Sequence, residues 1–262
     1  MKKILITGAN SYIGTSFEKY IYGNYPDEYQ IDTLDMMNPN WKEYDFRDYD
    51  SIFHVAGIAH QKETKKNVHL YYEINRDLAL KVAKKAKSSG VKQFIFMSSM
   101  SVYGLDYSKD YITINTPTNP KTNYGKSKLE AERGLLQLSN DFFAVCILRP
   151  PMVYGDDSPG NLAKLFKMVR KLHIFPTIKN QRSSISVGTL CEKIERVIRN
   201  DKNGIILVQN NEYMCTVDMV MNQMIKEKTK VIYTPIFNPF IKLLIGKVTV
   251  ITKCFGDLKY EK

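Results

Sequence analysis

Short apolar runs alternate with helical patterns through the first two-thirds of the chain. The runs predict strands near residues 3–7, 30–34, 43–46, 51–56, 92–97, 142–148 and 204–208. Apolar positions three and four residues apart predict helices near 12–22, 68–88, 123–138, 161–171, 188–200 and 216–227. Stretches such as ILIT and QFIFMS are apolar throughout, which is typical of strands covered on both faces. The alternation therefore predicts an α/β fold with a doubly wound parallel sheet.

Two segments depart from this alternation and indicate how the chain is divided. Residues 47–50 are too few for a crossover helix between the third and fourth predicted strands, so we expect that layer to be trimmed. Beyond Arg149 the chain becomes rich in turns, as in PPMVYGDDSPGN. We predict a nucleotide-binding domain mainly over 1–150 and a small substrate-binding lobe mainly over 151–262, from which about 188–208 returns to the first domain.

The charge balance favours an anionic partner. The chain of 262 residues has 38 Lys and Arg against 27 Asp and Glu, a formal charge of +11, which suits a nucleotide among other anions. Lysines such as Lys81 and Lys84 lie on the polar side of a predicted helix, where a solvated surface explains them. No segment combines aromatic and basic residues as single-strand binders do, so we expect no nucleic-acid partner.

Cysteines and apolar stretches indicate the environment of the protein. The four cysteines are widely separated and form no CxxC pair, which predicts reduced thiols and no metal site. The apolar run after Lys3 is too short for a signal peptide, so we expect a cytoplasmic protein. In NPFIKLLIGKVTVITKCF, Lys242, Lys247 and Lys253 interrupt the apolar run before the roughly 20 residues that a membrane span needs. We expect this stretch to pack against the protein rather than to span a membrane.

The segment GANSYIG follows the first predicted strand and opens the first predicted helix. Gly8 permits a tight turn and Gly14 permits close packing of the helix on the sheet, so a pyrophosphate can bind at the helix N-terminus. Ser11 stands where the dinucleotide fingerprint has its middle glycine. Because Ser11 is small and its hydroxyl can donate a hydrogen bond, the turn still predicts a cofactor site, which includes Tyr12 and Ile13.

An acidic residue after the second strand distinguishes two cofactors. Asp35 lies 27 residues after Gly8. Its carboxylate can bind both ribose hydroxyls of NAD, whereas it would repel the 2′-phosphate of NADP. No arginine follows it closely, so NAD(H) is favoured and NADP(H) stays an alternative.

Tyr124 and Lys128 are four residues apart at the start of a predicted helix, so they share one helix face. A lysine cation beside the phenol lowers the tyrosine pKa toward the range for proton transfer. Upstream, the strand QFIFMSS ends at Ser98 and Ser99, at the carboxyl edge where α/β sheets place their sites. A hydroxyl there can hold the same substrate oxygen, so Ser99, Tyr124 and Lys128 form the candidate catalytic set.

The segments TGANSYIG, MSSMSVYG, NYGKSK, LRPPMVYG and PGN occur in the order and spacing of a known family. Together they resemble the extended short-chain dehydrogenase/reductases, which modify nucleotide-activated sugars on a Rossmann-type fold. Within this family the chain resembles reductases of UDP-4-keto-6-deoxy-N-acetylhexosamines from bacterial capsule and O-antigen pathways, and UDP-glucose 4-epimerases are better-known relatives.

The resemblance implies a role for each matching residue. It makes Tyr124 the acid/base, Lys128 its activator and a ligand of the nicotinamide ribose, and Ser99 the hydroxyl that binds the sugar C4 oxygen. The further cofactor residues that it implies are Asp45, Phe46, Ala56, Gly57, Asn75 and Pro150. Asn161 and Arg182 match positions that hold the nucleotide diphosphate.

The implied activity is hydride transfer at C4 of a UDP-hexose, by a 4-ketoreductase or a 4-epimerase. The subgroup resemblance favours the reductase, whereas Asp35 suits the NAD of an epimerase equally well. A 4,6-dehydratase is disfavoured because Met100 and Ser101 stand where that reaction needs an acid and a base. An NAD(H)-binding regulatory module without turnover is an alternative of another class, and it would account for Ser11. Relatives often pair through a four-helix interface, so a homodimer is compatible with the sequence.

Overall fold

A computed structural model describes residues 1–59, 61, 63–156 and 158–262. Its strands are β1 (Lys2–Thr7), β2 (Tyr29–Leu34), β3 (Ser51–His54), β4 (Gln93–Met97), β5 (Ala144–Arg149), β6 (Met152–Tyr154), β7 (Ile174–Pro176), β8 (Ser184–Ser186), β9 (Gly204–Leu207) and β10 (Ile232–Thr234). Its α-helices are α1 (Tyr12–Asn24), α2 (Val68–Tyr72), α3 (Ala79–Ser88), α4 (Asn123–Leu136), α5 (Asn161–Leu172), α6 (Val187–Arg199), α7 (Thr216–Lys226), α8 (Asn238–Leu244) and α9 (Thr249–Phe255). A π-helix, Glu73–Leu78, joins α2 to α3.

Six strands form one parallel sheet in the order β2-β1-β3-β4-β5-β9. The register places Ile6 of β1 between Thr33 of β2 and Phe53 of β3. Because β2 and β3 lie on opposite sides of β1, the loops after β1 and β3 flank the point where the strand order reverses, and ligands of such sheets bind there. The prediction of a doubly wound, Rossmann-type α/β fold is confirmed.

Two apolar cores, one on each face of the sheet, hold the helices in place. One core includes Phe17 of α1 and Ile194 of α6. The other includes Val82 of α3 and Leu135 of α4. Helices therefore cover both faces, which explains the continuous apolar runs in the strands, such as ILI in β1 and FIFM in β4.

The prediction of a strand near 43–46 is wrong. The 35–50 connection from β2 to β3 contains a short 3-10 helix, Pro39–Lys42, and no strand. Trp41 and Phe46 point into the core from this irregular segment, whereas Tyr44, which alternates with Phe46 in the sequence EYDF, is exposed. The layer is trimmed as expected, but it lacks the strand as well as the helix. The other predicted elements lie within a few residues of their expected bounds.

The chain divides into two compact units. Unit 1 consists of Met1–Gly104, Pro117–Gly155 and Ile185–Val208, and it contains the six-stranded sheet. Unit 2 consists of Leu105–Thr116, Asp156–Ser184 and Gln209–Lys262. The segment that returns to the sheet after α5 thus supplies α6 and β9 to unit 1.

Unit 2 has an apolar core of its own. Val169 of α5, Val220 of α7 and Phe255 of α9 belong to it. The apolar stretch near the C-terminus forms α8 and α9, two helices that the sequence patterns did not predict, and Ile241 and Cys254 pack on this core. Within the described ranges, no helix has both the length and the apolar character that crossing a bilayer requires.

Candidate active site

The turn after β1 requires its first glycine. Gly8 has a φ of +122°, and a Cβ there would lie 2.6 Å from the Ala56 backbone nitrogen. The amides of Gly8 and Ala9 donate to the Leu34 carbonyl at 3.0 and 3.2 Å, which holds the end of β2 beside the turn. Asn10 adopts a φ of +64°, a conformation that asparagine tolerates better than most residues. The backbone of β1 therefore passes close to both neighbouring strand ends, as a dinucleotide turn requires.

Ser11 is the N-cap of α1. Its Oγ accepts a hydrogen bond from the Gly14 amide at 3.2 Å, and a Cβ on Gly14 would lie 2.6 Å from that oxygen. The serine thus satisfies one of the amides that a helix N-terminus leaves free for an anion, while its own proton can still be donated. Tyr12 and Ile13 form the first turn, and Ile13 packs on the core, so its amide is the group it can offer a ligand.

The predicted ribose and adenine residues follow β2. Asp35 is exposed, and its carboxylate accepts from the Met37 amide at 2.9 Å. Asp45 is exposed and pairs with Arg47 at 2.5 Å, and this hydrogen bond holds the pKa of the carboxyl below its usual range. The ring of Phe46 is fully buried, so only its main chain can face a ligand. This part of the site is formed by exposed carboxylates and backbone.

After β3, the backbone at Gly57 also lies very close to neighbouring side chains. Gly57 is exposed, whereas the preceding Ala56 is buried. A Cβ on Gly57 would lie 2.8 Å from Asn75 Oδ1 and 3.3 Å from Lys128 Nζ. Asn75, on the π-helix, accepts from the Ile58 amide at 2.9 Å and donates to the Ile58 carbonyl at 3.1 Å. The fully buried Asn75 side chain therefore holds the backbone next to Gly57 in place.

Ser99 and Tyr124 meet at the carboxyl edge of the sheet. Ser99 caps a 3-10 helix, Met100–Tyr103, and hydrogen-bonds the Tyr124 side chain. Burial raises the pKa of the Tyr124 phenol, and the bond from Ser99 lowers it in part. The net direction is upward, contrary to the lowering that we expected from Lys128. Burial lowers the pKa of Lys128 as well, so its charged form is also disfavoured.

Lys128 is almost completely buried, with 4% of its surface exposed. Its Nζ donates to the Met97 carbonyl at 2.8 Å and lies 4.5 Å from the centre of the Phe96 ring. Burial lowers the pKa of Lys128 to about 7. The amine therefore titrates near neutral pH, and a partner that accepts hydrogen bonds or carries negative charge would restore its proton.

A buried ion pair links α4 to β5. Glu132 and Arg149 are 1% and 4% exposed and pair at 2.6 Å. Ser98 also donates to Glu132, and Arg149 donates to the Tyr103 hydroxyl at 2.8 Å. These bonds tie α4, the end of β4, the 3-10 helix and β5 together. The sequence prediction did not identify this network. Glu132 ends the segment LEAE and Arg149 ends the apolar segment CILR, but nothing in the sequence pairs the two.

Glu63 is a second residue that the sequence prediction missed. Its carboxylate accepts from the amides of Asn123 and Tyr124 at 3.3 and 3.2 Å, and from Asn123 Nδ2 at 2.9 Å. Thr122 caps the same helix end by accepting from the Gly125 amide at 3.1 Å. A carboxylate at a helix N-terminus is favourable, and here it joins the segment after Gly57 to the residue that carries the phenol.

Pro150 lies directly after β5. Its carbonyl accepts from the Met100 amide at 2.8 Å, and the Ser98 amide donates to the Leu148 carbonyl at the same distance. The loops after β4 and β5 are thus joined, and Pro150 is held beside the helix that begins after Ser99. The structure therefore brings together, at one edge of unit 1, most of the residues predicted for the site.

A family comparison accounts for this arrangement. Residues 4–208 match the NAD dependent epimerase/dehydratase family. The chain belongs to that family. The matched range holds the glycine turn, the serine at the end of β4 and the tyrosine and lysine of α4, so the family match includes the whole candidate catalytic set.

Two curated proteins illustrate the family relationship. The UDP-glucose 4-epimerase of Vibrio cholerae is 30% identical in an alignment of 287 positions, gaps included, that covers 99% of this chain and 87% of that protein. The N-acetyl-alpha-D-glucosaminyl-diphospho-ditrans,octacis-undecaprenol 4-epimerase of Escherichia coli O157:H7 is 27% identical, with 86% and 70% covered. Family membership makes this chain an NAD(P)-dependent enzyme of the epimerase and reductase type.

Solved structures show the same fold. UDP-glucuronic acid 4-epimerase from Bacillus cereus, in complex with NAD, has a TM-score of 0.75 at 18% identity and covers 88% of this chain and 85% of its own. A dTDP-4-dehydrorhamnose reductase from Clostridium acetobutylicum has a TM-score of 0.72 at 19% identity, with 97% and 98% covered. Another such reductase, from Bacillus anthracis, is in complex with NADP.

The residues of this family member fit a nicotinamide dinucleotide. Gly8 leaves the helix N-terminus open, because its position admits no side chain, and the first amides of α1 suit a pyrophosphate. Asp35 is exposed at the end of the neighbouring strand, where it suits ribose hydroxyls. The cofactor is thus NAD(H), with NADP(H) as the alternative.

The predicted diphosphate residues lie in unit 2. Asn161 is exposed and is the first residue of α5. Arg182 donates from Nη1 to the Gly256 carbonyl at 2.7 Å, and burial lowers the pKa of its guanidinium. Their roles toward a substrate stay predictions.

Proposed function

We propose that this enzyme catalyses hydride-transfer chemistry at C4 of a UDP-hexose, and that its reaction is the reduction of a 4-keto sugar. The observation that carries the proposal is the convergence of Ser99, Tyr124 and Lys128 at the carboxyl edge of the sheet. The bound nicotinamide would supply the hydride. The side chains of the protein supply the position of the sugar oxygen and its proton.

Tyr124 is the group suited to move the proton. Its raised pKa keeps the phenol protonated at neutral pH, so it can act as the acid that protonates the C4 oxygen during reduction. Ser99 hydrogen-bonds the phenol and can hold the same sugar oxygen, which fixes the line of proton transfer. Once charged, Lys128 would stabilise the tyrosinate that remains after the transfer.

Recognition of the nucleotide is proposed for the predicted unit 2 residues. Arg182 has its charged form disfavoured by burial, and a diphosphate would compensate this cost through charge-assisted hydrogen bonds. Asn161 is placed on the first turn of a helix, a position suited to phosphate binding. Both residues match the family pattern for the diphosphate.

Two structural features support a reductase. The connection after β2 has only a short 3-10 helix and no strand, so it offers fewer surfaces around the adenosine half, and Ser11 already satisfies one amide of α1. Weaker binding of the cofactor suits an enzyme that exchanges its cofactor at every turnover, whereas an epimerase oxidises and reduces with one retained NAD. We further propose that the product enters bacterial surface-polysaccharide synthesis in the cytoplasm and that the chain forms a homodimer.

A 4-epimerase is the second candidate. The Vibrio cholerae and Escherichia coli relatives are 4-epimerases, and the first is similar over nearly the whole chain. Asp35 suits the NAD that such an enzyme retains.

One assay separates the two candidates. The purified enzyme is mixed with a UDP-4-keto-6-deoxy-N-acetylhexosamine and NADH or NADPH, and we expect one reduced cofactor to be consumed per sugar reduced. In a parallel reaction it receives UDP-glucose or UDP-galactose without added cofactor, and the protein is analysed for copurified NAD. Interconversion of those sugars together with bound NAD, and no reduction of the keto sugar, would establish the epimerase instead.

A further inference from the structure

Residues 236–250 of unit 2, which comprise α8, the start of α9 and the segments before each helix, expose several large apolar side chains. Six such residues lie within fifteen positions, and between 40% and 78% of their surface is exposed: Ile236, Phe237, Phe240, Leu243, Val248 and Val250. Together with the neighbouring Lys242 and Lys247, both exposed, they form what we call the apolar-basic surface. A patch of this kind on a soluble unit indicates a binding surface.

These side chains are not needed by the core beneath them. The same helices direct other residues inward, and Ile241, Ile245 and Ile251 pack on the unit 2 core. On α8 the outward residues Phe240 and Leu243 are three apart, so they share a side of the helix. Within the helices, the exposed Phe240, Leu243 and Val250 thus lie apart from the residues that pack on the core. The other apolar members of the surface belong to the segments just before α8 and α9.

The charged residues within this stretch of the chain have one sign. Residues 228–256 contain five lysines and no aspartate or glutamate. One of the lysines, Lys253, pairs with Asp106 at 3.5 Å. Of the other exposed lysines, Lys242 and Lys247 lie among the apolar residues in the sequence, so the segment that carries the surface is positively charged.

We propose that the apolar-basic surface binds an anionic phospholipid membrane, with α8 lying on the bilayer surface. Exposed apolar side chains and lysines are the two signals that stable surface attachment requires, since each contributes too little alone. The type of cation distinguishes a lipid partner from a protein partner. Protein interfaces are enriched in arginine and depleted in lysine, and here every cation is a lysine. Because only apolar and cationic groups are offered, the matching surface is acidic headgroups above acyl chains.

Vesicle sedimentation tests the proposal with the whole chain. We expect the protein to sediment with vesicles of phosphatidylcholine mixed with phosphatidylglycerol, and about tenfold less with phosphatidylcholine alone. The double variant Phe240→Ser/Leu243→Ser should lose binding to both, and Lys242→Gln/Lys247→Gln should lose the preference for the anionic vesicles. Each variant should keep the thermal midpoint of the wild-type protein, since the altered side chains are exposed.

Matched controls come from unit 1. Phe142 is a single apolar side chain with 87% of its surface exposed, and Lys81 and Lys84 are exposed on α3. Phe142→Ser and Lys81→Gln/Lys84→Gln should leave vesicle binding unchanged. Equal binding to both vesicle types, equal losses in the controls, or no binding at all would overturn the proposal. So would a dimer in solution that Phe240→Ser/Leu243→Ser separates, because a second copy of the chain would then be the partner.

Discussion

The two sides of the candidate site in unit 1 consist of different kinds of chemical group. Around β4, α4 and β5 the functional groups are buried and bonded to one another, and Glu132 and Arg149 are almost fully enclosed. Around β1, α1 and β2 they are backbone amides and exposed carboxylates, such as Asp35. We call the first the proton-transfer side and the second the cofactor side.

Under the proposed function, the difference corresponds to two tasks. Proton transfer depends on fixed positions, since small displacements of reacting groups lower rates steeply. A cofactor that is exchanged needs a site that it can enter and leave, and exposed groups allow this. We therefore expect substitutions on the proton-transfer side to cost much activity or stability, and substitutions on the cofactor side to change affinity only slightly.

Removing the Tyr124 hydroxyl should have the largest effect. Tyr124→Phe deletes the proposed acid without changing the ring, so the rate of reduction should fall about 10³-fold. Cofactor affinity, followed by NADH fluorescence, should stay unchanged because the cofactor side is untouched. Tyr22→Phe makes the same change at an exposed position on α1 and should keep full activity. A fully active Tyr124→Phe would remove this residue from the mechanism.

Breaking the buried ion pair should be the next largest change. Glu132→Gln leaves the Arg149 charge buried without its partner, which should lower the free energy of unfolding by about 3–5 kcal/mol in urea titrations. Glu130→Gln is the control on the same helix, since its partly exposed pair with Arg76 should contribute about 1 kcal/mol at most. Equal losses of unfolding free energy in the two variants would show that burial does not increase the cost of breaking this ion pair.

The fold could be predicted where burial repeats along the chain. β1, β4 and α4 leave apolar patterns of fixed period, and their bounds were close to those observed. The strand expected near 43–46 is wrong because Phe46 is a buried anchor of an irregular connection, whereas Tyr44, the other apolar position of that alternation, is exposed.

The site could be predicted where its residues are close in sequence or end a strand. Tyr124 and Lys128 are one helical turn apart, and Ser99 follows an apolar strand. Glu63 and Arg149 could not be found this way, because the contacts that define them join residues 61 and 17 positions apart. Such pairings are made by the folded chain and leave no periodic signal.

Lys128→Met should separate stability from activity. Burial lowers the pKa of Lys128 to about 7 from the ordinary 10.5, so between these values the unfolded chain binds more protons and the free energy of unfolding rises with pH. The variant should lose this slope and, at about pH 6, should be more stable by about 1–2 kcal/mol, since a buried cation is removed. Its activity should fall about 100-fold. Urea titrations at about pH 6 and pH 9 test the slope, and equal slopes in both proteins would contradict it.

Glu63→Ala tests whether the segment after Gly57 positions the phenol. Three hydrogen bonds to the start of α4 are lost, so kcat should fall about tenfold while KM for the cofactor stays unchanged. Thr122→Ala removes a cap from the same helix end without involving that segment, and it should cost about 1 kcal/mol of stability with little loss of kcat. Parallel losses of kcat in both variants would reduce Glu63 to a helix cap.

Ser11→Gly should give the smallest effect and test the cofactor side directly. The substitution frees the Gly14 amide to face an anion, so the enzyme should bind NAD(H) about two- to fivefold more tightly in fluorescence titrations. Loss of the cap should cost only a few tenths of a kcal/mol. Ser186→Gly removes the equivalent cap from α6, where Ser186 accepts from the Thr189 amide, and should leave cofactor affinity unchanged. If Ser11→Gly instead weakens binding, the serine hydroxyl is a cofactor ligand. The start of α1 would then bind the cofactor through a side chain as well as through its backbone amides.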